Sequence, residues 1–130
     1  MGQQQLLLIV LGVIIVGIAV VVGINVFTAS SLQANRDAVI ADLTNLASLA
    51  QQYYRKPTAL GGGGNSFTGW TIPTQLASTG NGTYNNPAPN VTASQVTLVG
   101  IGNEKGNDGT NNVKVTMIVK ADSIKTTINN

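Results

Sequence analysis

The chain has neither cysteine nor histidine. Thiolate nucleophiles, disulfides, imidazole bases and the usual zinc and haem ligand sets are therefore excluded. Missing cysteine does not fix the compartment, since an exported protein dispenses with disulfides when packing or assembly stabilises it. Charge is also scarce, at 9% of residues with a net of +2. The cations Arg36, Arg55, Lys56, Lys105, Lys114, Lys120 and Lys125 are scattered rather than clustered, so no nucleic-acid footprint is expected. The acids Asp37, Asp42, Glu104, Asp108 and Asp122 show no recognised acid–base spacing, and no nucleophile has a partner base. A non-enzymatic protein without catalytic residues, metal or cofactor is the expectation. Two Phe, three Tyr and one Trp are too few for a stacked charge-transport path. Phe27, Tyr53, Tyr54 and Trp70 are read as packing residues.

What the chain does contain is one long apolar run. Leu6 to Val26 is Leu, Ile, Val, Ala and Gly, interrupted only by Asn25. As an α-helix of about 21 residues it spans roughly 32 Å, the thickness of a hydrocarbon core. With about sixteen Leu, Ile or Val side chains at roughly 0.3 to 0.6 kcal/mol each, membrane insertion is favoured by several kcal/mol. Many of them are β-branched, yet a lone strand in lipid leaves its backbone groups unpaired, so helix is expected. Copies of the same helix bury this surface as well as lipid does.

Gly12, Gly17 and Gly23 interrupt the run at spacings of five and six, which reads as glycines spread around the helix rather than gathered on one side. They are either flexibility points, where the helix unwinds on exchanging lipid for protein, or harmless small residues. A cleaved secretory signal is the competing reading of the run. It calls for a basic n-region and a shorter apolar segment, whereas Gly2, Gln3, Gln4 and Gln5 are uncharged. Orientation would then be set by a removed leader or decided elsewhere.

Beyond Phe27, the residues Leu32, Val39, Leu43, Leu46, Ala50 and Tyr53 recur at helical spacing, with Ile40, Ala47 and Tyr54 widening the stripe. Gln33, Arg36, Asp37, Thr44, Asn45, Ser48 and Gln52 are assigned to the other sides. Pro57 and the Gly61 to Gly64 tract predict a helix end near Arg55. A helix unbroken from about Gln3 measures roughly 80 Å, far more than a domain of this size requires.

From Gly61 the chain is dense in Gly, Asn, Pro, Ser and Thr, and loop with short strands at most is expected. The glycine tract lacks the Lys-Ser or Lys-Thr of a phosphate cradle and reads as a linker or a close-packed loop. Trp70, with Phe67 and Ile72, is expected to pack on the amphipathic stripe together with Leu32, Val39, Leu43, Leu46 and Tyr53. Alternation over Gln95 to Ile101 and over Val113 to Lys120 predicts a hairpin, with a further short strand within Ser123 to Ile128. Asn103, Glu104, Asn107, Asp108 and Asn111 hold only two carboxylates and no EF-hand pattern, so no metal site is assigned. Asn81 and Asn90 begin N-glycosylation sequons.

The expected fold is α+β: a long N-terminal α-helix, hydrophobic then amphipathic, with a small C-terminal antiparallel β head. Its segments are an apolar membrane or filament-core helix at 1–27, an amphipathic extension at 28–56, and a loop-rich head at 57–130.

That architecture, and most of all the stretch GQQQLLLIVLGVIIVGIAVVVGINVF, resembles the type IV pilin family, including the pseudopilins of type II secretion. The resemblance implies a prepilin peptidase that cuts a short basic leader, methylation of the new terminus, storage in the inner membrane, and machinery-driven assembly into an extracellular helical homopolymer. It implies assembly contacts at Gln3, Gln4, Gln5, Leu6, Leu7 and Leu8, and onward through Leu11, Ile14, Ile15, Ile18 and Val22. Family members usually carry a glutamate near the mature start and a mid-helix proline, where Gln5 and Val22 stand here if Met1 begins the mature chain. A Gln amide still accepts a hydrogen bond from a neighbour's terminal ammonium without the desolvation cost of a carboxylate. The head disulfide of many members is impossible here. Besides a major filament subunit, a minor pilin or pseudopilin and an unrelated single-span membrane-anchored domain remain open. So does the filament's task, whether adhesion, motility, DNA uptake or scaffolding.

Overall fold

Pro57 ends a helix of 54 residues, α1 at Gly2–Arg55. The computed structural model describes residues 2–85 and 90–130. Met1 and residues 86–89, the latter inside the stretch read as loop, lie outside them. Two compact units divide the chain, Met1–Ser31 and Leu32–Asn130.

In the first unit every described residue up to Ser30 is helical and exposed. The helix passes through Gly12, Gly17 and Gly23 without a break. Thr28 Oγ1 donates back to the Ile24 carbonyl at 3.0 Å, so its hydroxyl is satisfied within the helix.

In the second unit the amphipathic stripe becomes one wall of a core. Val39, Leu43, Leu46, Ala47 and Ala50 are buried against Val96, Leu98, Val113, Val115, Met117 and Val119, with Phe67, Trp70 and Tyr84 closing the sides. Each fully buried Val or Leu is worth about 1.5 to 3 kcal/mol, so this contact is the main stabiliser of the head. Leu32, Ile40, Tyr53 and Tyr54 are half-buried at its margin. The Tyr54 and Phe67 rings meet at 4.7 Å between centroids.

The glycine tract is a close-packed helix stop rather than a linker. A helix end leaves its last carbonyls without partners. Here Gly63 N donates to Tyr53 O at 2.7 Å, Asn65 N to Tyr54 O at 2.7 Å, and Gly64 N to Lys56 O at 2.9 Å. Gly64 sits at φ 58°, and a Cβ on Gly63 would run into the Ser66 carbonyl oxygen, so side chains are excluded where the chain folds back.

A five-stranded antiparallel meander follows: β1 at Ser78–Thr79, β2 at Gly82–Asn85, β3 at Gln95–Lys105, β4 at Asn112–Lys120 and β5 at Ile124–Ile128, ordered as in sequence. The expected hairpin is β3–β4, paired from Gln95↔Lys120 to Ile101↔Lys114 and again at Lys105↔Asn112 after a register shift. Along β4, Val113, Val115, Met117 and Val119 are buried while Lys114 and Lys120 are exposed, the alternation read from the residues. The fold is α+β with one long N-terminal helix and an antiparallel sheet.

One side-chain assignment is corrected. Arg36, placed on a polar side by its chemistry, is only 9% exposed. Three residues before Val39, it falls on the core-facing stripe, where a long apolar stem packs and the charged end must find partners in the head.

Candidate assembly surface

The first unit is apolar on every side. Successive residues advance about 100° around a helix, so Leu6 to Ile24, without one polar side chain, leaves no polar stripe. Leu6, Leu7 and Leu8 are 63%, 69% and 67% exposed, and Leu11, Ile14, Ile15, Ile18 and Val22 are between 50% and 61% exposed. A helix apolar all round is a membrane span or a buried core element. By length and composition α1 is able to cross a membrane. Gln3, Gln4 and Gln5 form the polar lead-in, also exposed.

The three glycines do not all lie on one side of the helix. Gly12 and Gly17 border one shallow apolar groove with Leu8, Ile9, Val13 and Val16. The eleven-residue interval from Gly12 to Gly23 is close to three whole turns and returns within about 20° of the same direction. Gly17 is the outlier, about 140° from Gly12.

Several of the head's polar side chains hold the head together. Asp42 Oδ2 accepts from Thr79 Oγ1 at 2.9 Å, Asn81 Nδ2 at 3.1 Å and Tyr84 Oη at 2.5 Å. Desolvation is the largest single influence on Asp42 and raises its pKa, but the three donors together outweigh it and hold the carboxyl below its ordinary value. Burial first, and then the bond to Asp42, push the Tyr84 phenol well above its ordinary range.

Asn35, one turn ahead of Val39, accepts at Oδ1 from the backbone N–H groups of Asn103 (3.1 Å) and Glu104 (3.2 Å), while its Nδ2 donates to Asn81 O at 2.9 Å. The register shift of β3 falls where those two N–H groups turn to the helix instead of to β4. Arg36 Nη2 donates to Asn107 Oδ1 at 2.9 Å and Nη1 to Gln33 Oε1 at 3.2 Å, and its buried Nε has no partner among the described residues.

Asp108 is the centre of a turn. It accepts from Thr110 N (2.9 Å), Asn111 N (2.9 Å), Asn111 Nδ2 (2.8 Å) and Asn130 Nδ2 (3.1 Å). Those backbone and amide donors hold its carboxyl far below the ordinary range. The acid and amide group at 103–111 is thus occupied by internal donors, and among the described residues no trio of His, Cys, Asp or Glu is placed to hold a metal ion. The Asn81 amide nitrogen, the atom a glycan would take, donates to Asp42, while Asn90 is half-buried ahead of the Thr92 turn. Of the predicted packing residues, Val39, Leu43, Leu46 and Trp70 share the core, with Leu32 and Tyr53 at its edge.

Sequence reasoning missed Asn35, Asp42 and Tyr84. Each acts through a partner far along the chain, and the only local signal was a polar residue beside an apolar stripe. Compared with family models, characterised proteins and solved structures, the chain matches none.

Proposed function

We propose that this chain is the structural subunit of a type IV pilin-like filament, held in a membrane by α1 before assembly and packed with copies of α1 afterwards. The observation that carries the reading is the first unit itself: a helix apolar on all sides, with its Leu and Ile side chains half or more exposed. Water rejects such a surface, and lipid and identical helices are the two environments that accept it. In this reading Gln3, Gln4 and Gln5 make the first contacts between subunits, and a prepilin peptidase and assembly machinery act on the chain at the inner membrane. The head, low in charge and with Asn35, Asp42 and Asp108 engaged inside it, tolerates close identical neighbours around a screw axis.

Electron microscopy of sheared or detergent-extracted material tests the proposal. Filaments containing the chain are expected. Detergent-solubilised monomers with no filaments under assembly-competent expression would leave the single-span anchored domain as the reading.

A further inference from the structure

The sheet ends on one side at β5, Ile124–Ile128, whose five residues are all exposed. Its register against β4 is continuous, from Val115↔Ile128 to Val119↔Ile124. Lys120 N donates to Ser123 O at 2.8 Å and Asn129 N to Lys114 O at 2.9 Å. These bonds fix the alternation. Ser123, Lys125, Thr127 and Asn129 turn their backbone groups towards β4, and Ile124, Thr126 and Ile128 turn theirs outwards. Among the described residues no hydrogen bond reaches those outward groups.

The same three residues lie opposite Val119, Met117 and Val115, all buried, so their side chains stand on the core side of the sheet. There Ile124 and Ile128 remain 39% and 50% exposed. Edges are usually blunted by proline, a bulge or several charges. This one has no proline, no register shift and a single lysine. The opposite edge, β1, is only two residues long and offers no comparable template.

We propose that two copies of this chain pair edge to edge through β5, antiparallel and two-fold symmetric about Thr126. The strand Ile-Lys-Thr-Thr-Ile fits itself in that register and no other occupant is needed to satisfy it. Ile124 of one copy meets Ile128 of the second and Thr126 meets Thr126, so every outward N–H and C=O of one edge finds its complement on the other. Each exposed isoleucine is covered by the other copy's isoleucine. Lys125 lies opposite Thr127, so the two lysines do not oppose each other directly. A two-fold contact closes after two copies and does not propagate a screw axis. It joins two free subunits or, if the proposed filament forms, ties neighbouring filaments side by side, where many weak contacts add through multivalency.

The test uses the full chain in detergent, whose lack of cysteine makes single-cysteine variants clean reporters. In this register two Thr126 Cα atoms lie about 5.5 Å apart, inside the disulfide range, while two Lys125 Cα atoms lie diagonally, beyond about 7 Å. Thr126→Cys is expected to oxidise to a covalent dimer at least about tenfold faster than Lys125→Cys. Thr126→Pro removes only an outward N–H at an edge, where proline is tolerated. It should keep the Trp70 emission of the native head and yield single filaments where the parent chain yields bundles. Equal rates for the two cysteines, no dimer from either, or equal bundling by the parent and the proline variant would each overturn the pairing. The disulfide measurement does not require filaments, so it separates failure of this contact from failure of the filament reading.

Discussion

Tyr84 Oη donates a 2.5 Å hydrogen bond to Asp42 Oδ2, joining β2 to α1 across the edge of the head. Both groups are displaced from ordinary titration in opposite directions, Asp42 down and Tyr84 up. A depressed carboxylate stabilises the fold above its unfolded pKa of about 3.8 and loses that contribution as pH falls through the folded value. A raised phenol stabilises below its unfolded value of 10.0, and that contribution is lost as pH rises towards the folded value. Head stability should therefore fall below about pH 4 and above about pH 10. Urea titrations followed by Trp70 emission check this. Asp42→Ala strands a buried phenol and should cost about 2 kcal/mol, while Asp42→Asn should cost less and weaken the acid limb.

Gly100 sits in β3 against the helix side chains of Val39 and Leu43. An added Cβ would lie 2.8 Å from Val39 Cγ1, 3.0 Å from Tyr84 Cε1 and 3.1 Å from Leu43 Cδ1. Gly100→Ala should destabilise the head by about 1 to 3 kcal/mol through overpacking. Because Val39 Cγ1 is the nearest obstacle, Val39→Ala should recover part of that loss, so the double variant is less destabilised than the sum of the singles. A double-mutant cycle on urea midpoints measures the coupling.

What was legible in the sequence followed from periodicity and chain-breaking residues. The apolar run, the stripe from Val39 to Ala50, the stop at Pro57 and the alternation of Val113 to Val119 each write their structure locally. The clasp residues do not. Asn35 bonds to backbone 68 positions away, and Asp42 meets Tyr84 at a separation of 42. Polar side chains carry no period that reveals such partners. Arg36 misled because its charge suggested solvent although its phase, three residues before Val39, pointed inwards. The glycine tract gave two readings, and only the orphan carbonyls of Tyr53 and Tyr54 decided for the close-packed one.

If α1 is the assembly element, a charge at its middle should be intolerable. Val16 is 61% exposed and borders the apolar groove at Gly12 and Gly17. Val16→Asp places a carboxylate in lipid or among apolar helices at a cost of roughly 2.5 to 3.5 kcal/mol for insertion alone. Expression with electron microscopy should show no filaments, whereas Val16→Ile should assemble normally. Normal filaments from the Asp variant would contradict the assembly role of the helix.

Arg36 carries a charge that the head solvates poorly. It is 9% exposed, and among the described residues its two Nη atoms meet only the neutral oxygens of Asn107 and Gln33 and its Nε is unpartnered. A buried cation with neutral partners keeps much of its desolvation cost. Arg36→Met retains the stem's packing and removes the charge, so it should be neutral or stabilising by about 1 kcal/mol. Asn107→Asp instead keeps the cation and gives Nη2 a charged acceptor, and should stabilise by about 1 kcal/mol, an effect that weakens with added salt. Combining the two leaves the new carboxylate without its cation, so the double variant should fall below either single change. Urea midpoints at low and high salt distinguish this from a purely steric role, for which Arg36→Met would destabilise and Asn107→Asp would show no salt dependence.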